Sequence, residues 1–229
     1  RRAPAGHPPA LAARAGPGRA ERKKLAARAP SRYPTAAGRS FTARFRIRDF
    51  YPGVIMSALI CGSLAYDTIM VFPDQFKNHI LPDKVHILNV SFLVPRMRRE
   101  FGGCAGNIAY NLKLLGGDPI PMATVGQDFG PYREWFTEQG INMEQVKVID
   151  ELFTPQAFIT TDHDNNQITA FHPGAMMRSY ENHVKDVKGV TFGIVSPDGR
   201  EGMLQNATEF AEAGIPFIFD PGQAMPLFN

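Results

Sequence analysis

Short apolar runs bounded by turn residues recur along the chain from residue 57 onward. They predict buried strands at 58–65, with 68–71 continuing the first, and at 85–94, 119–125, 146–149, 192–196 and 216–220. Helical spacing of apolar positions predicts helices at 105–115, 132–139, 180–187 and 199–213. Strands that alternate with helices at this spacing predict an α/β fold with a mainly parallel central sheet covered on both faces.

One pair of segments breaks this alternation. Residues 156–161 and 167–171 are both strand-like, and the five residues between them, Asp-His-Asp-Asn-Asn, are typical of a turn. The pair predicts a hairpin, and hence a small β appendage beside the main sheet.

A glycine-rich turn precedes the helix at 105–115, where residues 101–107 read Phe-Gly-Gly-Cys-Ala-Gly-Asn. Glycine allows a ligand to approach the backbone closely, and a helix start leaves N–H groups without partners. The side chain of Asn107 both donates and accepts hydrogen bonds, which suits a sugar hydroxyl. The spacing fits neither the lysine-containing phosphate loop nor the dinucleotide fingerprint. The turn therefore indicates either a ligand site or a purely structural helix start.

Carboxylates follow several of the predicted strands, at Asp67, Asp128, Asp198 and Asp220. Ligands of open α/β sheets bind beyond the carboxyl ends of the strands, although acids there also cap helices and form turns. We favour the capping role for Asp128 and Asp198. For Asp67 we favour a binding role, since one carboxylate can accept two hydroxyls of one ribose.

Charge divides the chain into two parts. Residues 1–49 have a net charge of +11, whereas the remainder has −8, so the basic overall pI gives no reason to expect nucleic acid as a partner. Residues 1–55 are rich in Ala, Arg, Pro and Gly, and we predict a disordered leader. Three interpretations are an organelle transit peptide, a basic nucleic-acid-binding arm, and a non-native extension upstream of a start at Met56. We favour the third.

Other features exclude several classes of protein. Two cysteines, Cys61 and Cys104, indicate no disulfide framework and favour the cytoplasm. No apolar run approaches the ~18 residues that span a bilayer, so we expect no membrane association. The six histidines lack metal-ligand spacing, and we predict no structural metal.

Several segments together resemble the PfkB/ribokinase family of sugar and nucleoside kinases. They are Asp67, the turn with Gly102, Gly103 and Asn107, and the Gly-Gln-Asp-Phe-Gly sequence at 126–130. Residues 154–158, 161–169 and 219–223 resemble the adenosine and nucleoside kinases of bacteria and archaea in particular. The resemblance covers residues 57–229 and implies a ribokinase-like three-layer sandwich, with β lid segments near 68–95 and 156–171.

The resemblance implies ATP-dependent phosphorylation of the 5′-hydroxyl of a nucleoside, adenosine above all, with Mg²⁺ accompanying the ATP phosphates. It places the ribose hydroxyls on Asp67 and Asn107, and the sugar along Gly102 and Gly103. A purine needs an aromatic face, so Phe158 and Phe171 of the lid are the candidate base contacts. Lids of this family also pair between subunits, which allows a homodimer.

The chain departs from the family in one respect. The family's general base lies in an Asp-x-x-Gly-x-Gly-Asp motif beside the ATP pocket, and this sequence contains no such motif. We therefore expect the C-terminal part of the kinase domain to be missing, the substrate site to be kept, and the fragment not to catalyse. A PfkB sugar kinase of the ribose or fructose type, and a non-catalytic protein that binds a nucleoside or sugar, are the alternatives.

Overall fold

The structure is a computed structural model, and it describes residues 57–228. The predicted leader and the proposed start at Met56 lie outside the described residues. The strands are β1 (Ser57–Cys61), β2 (Ala65–Val71), β3 (Arg96–Gly102), β4 (Asp118–Gly126), β5 (Val146–Ile149), β6 (Gln156–Thr161), β7 (Gln167–His172), β8 (Phe192–Val195) and β9 (Phe217–Phe219). The helices are α1 (Cys104–Leu114), α2 (Gly130–Glu138) and α3 (Arg200–Glu212). Short 3-10 helices span Phe76–Asn78, Pro82–Ile87, Gly174–Glu181, Val184–Asp186 and Gly222–Phe228.

Five parallel strands form the central sheet in the order β5-β4-β1-β8-β9. Strand β1 is apolar from Ala58 to Cys61 because both of its faces are covered. Ala58 and Ile60 pack into the core beneath α1 and α2, whereas Leu59 and Cys61 pack into the core beneath α3. These two cores make three layers, which confirms the predicted α/β fold with a mainly parallel sheet.

A second, four-stranded sheet lies beside the first, in the order β3-β2-β6-β7. The pair β6–β7 is the predicted hairpin, and Thr161 pairs with Gln167 on either side of its turn. The buried carboxylate of Asp162 accepts N–H groups of Phe76, Asp164 and Asn166 at 2.9–3.0 Å. It thereby ties the hairpin turn to the segment that follows β2.

Three of the predicted elements differ from the structure. Residues 58–65 do not form one strand that continues through 71, because the chain leaves the central sheet after Cys61 and enters the second sheet at Ala65. Residues 85–94 form no strand, because residues 85–87 belong to the 3-10 helix Pro82–Ile87 and no described strand pairs with the rest. Phe92 packs on Phe72 and Phe76 instead. Ile87 and Leu93 remain exposed. Residues 180–187 contain short 3-10 segments in place of an α-helix.

Between residues 57 and 228, none of the helices combines the length and the apolar character that crossing a bilayer requires.

Candidate functional site

The order of the central sheet creates a crevice at the carboxyl end of β1. The chain moves from β1 to β4 on one side and to β8 and β9 on the other, so the direction of winding reverses between β1 and β8. Ligands of doubly wound sheets bind at such switch points. The residues that follow β1, β8 and β9 do line one cavity here, of about 670 Å³.

The cavity brings together most of the residues that the sequence singled out. Asp67, Gly103, Asn107 and Phe171 all line it. The remaining lining residues come from the strand ends, from the starts of α1 and α3, and from the segments after β7 and β9: Ser63, Ala65, Cys104, Ala157, Pro173, Met176, Met177, Pro197, Asp198, Gly199, Arg200, Gln223, Ala224 and Leu227.

Asp67 lies in the middle of β2, not after a strand as predicted, and its half-buried side chain faces the cavity. Burial and the negative charge of Glu100, its neighbour on β3, raise the pKa of the carboxyl group. Among the described residues, none donates a hydrogen bond to this carboxylate. A half-buried acid with free acceptors is suited to a ligand that brings its own hydroxyl groups.

Gly102 does not line the cavity but determines where the Asp67 carboxylate can lie. A methyl group at this position would come within 2.8 Å of Asp67 Cγ, closer than non-bonded carbons approach. The Gly102 carbonyl oxygen accepts the Tyr132 hydroxyl at 2.9 Å, inside the core. Burial is the main reason that the pKa of Tyr132 is raised, so the hydroxyl keeps its proton and remains a donor.

Gly103 adopts a φ of 86°, which favours glycine, and a Cβ here would meet the Ser63 carbonyl oxygen at 2.5 Å. This tight packing brings the start of α1 against Ser63. The Ser63 hydroxyl accepts the Cys104 N–H at 3.2 Å, and the Ser63 carbonyl accepts the N–H groups of Ala105 and Gly106 at 3.0 and 3.4 Å.

These contacts correct one part of the sequence interpretation. The expectation that free N–H groups of the helix start bind a ligand is wrong for Cys104, Ala105 and Gly106, because Ser63 already occupies them. The turn presents side chains to the cavity, chiefly that of Asn107, which is exposed one turn into α1. Ser63 was missed because nothing in the sequence shows that the loop after β1 folds back on α1.

Another part of the cavity wall, further across the second sheet from Asp67, is largely apolar. Phe171 is half exposed on β7, and Pro173, Met176 and Met177 follow it. The prediction that Phe158 contacts the base together with Phe171 is wrong. On the hairpin, Ala157 lies opposite Phe171, so Phe158 points to the other face of the sheet with Ala170.

The acids at the other strand ends have different surroundings. Asp128 accepts the Thr154 N–H at 2.7 Å, which is a contact between distant segments and not the capping role that we favoured, because the following helix α2 has no side-chain cap. Asp198 accepts the N–H of Gly199 at 2.8 Å, just before α3, yet it also lines the cavity. Burial raises the pKa of Asp198 to about 8, and the hydrogen bond from Gly199 opposes this rise only in part.

Within residues 57–228, no three side chains among His, Cys, Asp and Glu come together in a way that could hold a metal ion. Burial raises the pKa of the Cys104 thiol, so the thiol keeps its proton and lines the cavity as an uncharged group.

Comparison with known proteins shows the family of this chain. The pattern of the pfkB family carbohydrate kinases matches residues 65–227, which is well over half of the chain. The chain belongs to the pfkB family. Its sequence is 33% identical over 147 residues to a nucleoside kinase of Methanocaldococcus jannaschii, covering 62% of this chain and 47% of that protein. It is 32% identical over 176 residues to a nucleoside kinase of Methanothermobacter thermautotrophicus, covering 75% and 53%.

A solved structure shows the same fold. The nucleoside kinase of Burkholderia thailandensis, in complex with inosine, superimposes on 75% of this pfkB-family chain with a TM-score of 0.66 and 56% sequence identity. The match covers 54% of the Burkholderia chain. The present chain thus spans about half the length of the relatives that it matches.

Proposed function

We propose that this chain binds a nucleoside and provides the acceptor side of a PfkB-type nucleoside kinase. One observation carries the proposal: a single cavity combines a polar end, formed by Asp67, Asn107 and Gly103, with an apolar wall that contains Phe171. A nucleoside has the same division, with a ribose rich in hydroxyls and a flat base. The cavity volume of about 670 Å³ lies within the range of small-molecule sites.

The polar and the apolar parts of the cavity would bind different parts of the nucleoside. Asp67 would accept the ribose hydroxyls and Asn107 would donate to or accept from them, while Gly102 would leave room for the Asp67 carboxylate; the cavity lining and the close approach of Gly102 to Asp67 support this. Phe171 would stack on the base, with Met176 and Met177 beside it. The nucleoside kinase relatives, one of them solved with inosine, support a nucleoside over a free sugar.

Phosphoryl transfer needs more than this site. In the proposed reaction the γ-phosphoryl of ATP moves to the 5′-hydroxyl, and Mg²⁺ neutralises the phosphate charges. Among the described residues we assign neither the general base nor a ligand of the metal. We therefore expect the chain alone to bind the acceptor without phosphorylating it. The second sheet, which carries Phe171, would act as the lid over the acceptor.

Isothermal titration calorimetry tests the proposal. The purified chain should bind adenosine or inosine measurably, should bind ribose and fructose much more weakly, and should form no ADP from Mg-ATP. Asp67→Ala should abolish nucleoside binding, while Asp150→Ala, an exposed acid outside the cavity, should not change it. Tighter binding of a free sugar than of either nucleoside would favour the sugar-kinase alternative and overturn the proposal.

A further inference from the structure

Arg200 is the one basic residue among the described residues that line the cavity, and the binding scheme above leaves it unused. The other ionisable groups of the lining are the carboxyl groups of Asp67 and Asp198 and the thiol of Cys104. None of these carries a positive charge. A negatively charged ligand group that enters this cavity is therefore attracted to one place, the Arg200 guanidinium.

The Arg200 side chain is held in place by the 3-10 segment Gly222–Phe228. Its Nε donates to the Leu227 carbonyl oxygen at 2.8 Å, and its guanidinium lies over the ring of Phe228, 5.9 Å from the ring centre. Within residues 57–228 its two terminal nitrogens make no hydrogen bond, and no carboxylate lies within salt-bridge distance of them. The guanidinium is thus fixed in position, and both terminal nitrogens can donate to a ligand.

Arg200 belongs to a third side of the cavity, separate from those that the ribose and the base would occupy. It begins α3, after β8, and Gln223 and Leu227 of the same side follow β9. Asp67 lies on β2 and Phe171 on β7, both in the second sheet. A nucleoside with its 2′- and 3′-hydroxyls at Asp67 and its base at Phe171 has its 5′ end left for the side that carries Arg200.

We propose that Arg200 binds the phosphate group of a nucleoside 5′-monophosphate, the product of the proposed phosphoryl transfer, so that the cavity holds the product as well as the acceptor. This role rests on the proposed nucleoside-binding function. A 5′-phosphate carries a charge of about −1.5 to −2 near neutral pH, and a guanidinium with two free terminal nitrogens can bind two phosphate oxygens at once. The Asp67 carboxylate would repel a phosphate, so a phosphate at the 5′ end fits this cavity and one at the 3′ end does not.

Calorimetric titration of the chain with adenosine and with adenosine 5′-monophosphate tests this role. The wild type should bind both ligands. Arg200→Gln removes the positive charge and should raise the dissociation constant of the monophosphate at least about tenfold, while that of adenosine, which has no phosphate, should hardly change. Arg133→Gln, at an exposed arginine outside the cavity, is the matched control and should bind both ligands as the wild type does.

Arg200→Lys separates the charge from the contact with Leu227. Lysine keeps the positive charge but lacks the planar guanidinium that Leu227 and Phe228 hold. It should therefore bind the monophosphate more tightly than Arg200→Gln does, and less tightly than the wild type. Equal losses in the two variants would show that the contact with Leu227 matters and the charge does not, and would overturn the phosphate-binding role.

Adenosine 3′-monophosphate distinguishes a contact at the 5′ end from a general attraction of anions. Its phosphate would lie beside Asp67, so it should bind the wild type much more weakly than the 5′ isomer does, and Arg200→Gln should weaken it no further. The role of Arg200 is overturned if folded Arg200→Gln binds the 5′-monophosphate as the wild type does, or if the substitution weakens both isomers equally. A wild type that binds adenosine but not the 5′-monophosphate would overturn it too. Failure of the wild type to bind adenosine would instead overturn the proposed function.

Discussion

Replacement of Gly102 by alanine should weaken nucleoside binding while leaving the fold intact. The added methyl group would lie 2.8 Å from Asp67 Cγ, whereas ordinary contact begins near 3.4 Å, and the nearer carboxylate oxygen is closer still. The carboxyl group must therefore move by more than half an ångström. Because Asp67 is half-buried and faces the cavity, it can rotate away without disturbing the core.

The size of the effect follows from the bonds that this displacement breaks. A hydrogen bond to a charged group contributes about 1.5–3 kcal/mol, and each 1.4 kcal/mol is about tenfold in affinity. Loss of one such bond between Asp67 and the ribose predicts a dissociation constant for adenosine raised about 10- to 150-fold. Calorimetric titration measures this constant directly, and urea unfolding should show only a small change in stability.

Gly130→Ala is the matched control, because a Cβ at Gly130 meets no atom within 4 Å. Alanine there, at the start of α2 and outside the cavity, should leave the affinity unchanged. An unchanged dissociation constant in folded Gly102→Ala, and again in Asp67→Asn, would show that the ribose does not bind at Asp67.

Three further predictions concern stability. Tyr132→Phe should lower the free energy of unfolding by about 1–2 kcal/mol, because it leaves the Gly102 carbonyl without its buried donor; urea unfolding with no loss would contradict the contact. Phe210→Ala should lower the free energy of unfolding by about 3–5 kcal/mol, because Phe210 is fully buried. Leu204 on the same helix is 40% exposed, so Leu204→Ala should lower it far less. Equal losses in the two variants would contradict the packing of Phe210. The pKa of Asp198 in the folded chain, about 8, exceeds the unfolded value near 3.8, so the free energy of unfolding should fall as pH rises between these two values. Asp198→Asn should remove this part of the dependence of stability on pH. If the urea midpoints of the variant changed with pH as those of the wild type do, the burial of this acid would be refuted.

The central sheet could be predicted because parallel strands covered on both faces leave a simple signal. Each is a short apolar run between turn residues, and β4, β5, β8 and β9 lie within a few residues of their predicted positions. The signal fails where an apolar run continues through a change of sheet. Residues 58–71 are apolar on both sides of the departure after Cys61, so the apolar pattern does not separate β1 from β2 although Gly62 and Ser63 lie between them.

The site was predictable to the extent that its residues are local in sequence. Gly102, Gly103 and Asn107 belong to one turn, whereas Ser63, Met176 and Met177 reach the cavity only through tertiary packing. No local pattern distinguishes these three from ordinary loop and core residues.

Phe158 is different, since its position could have been derived. The predicted turn leaves Thr161 opposite Gln167, and counting back along the two strands places Ala157 opposite Phe171. Neighbouring residues of a strand point to opposite faces, so Phe158 and Phe171 cannot line one cavity. The hairpin prediction already contained the register that excludes one of the two phenylalanines.

A crystal structure of the chain grown with adenosine is the most direct test of the central claim, that the cavity holds a nucleoside acceptor. The account predicts ribose hydroxyls within hydrogen-bond distance of Asp67 and Asn107, with the base between Phe171 and the side chains of Met176 and Met177. Adenosine bound elsewhere, or bound in this cavity with its ribose away from Asp67, would contradict the account.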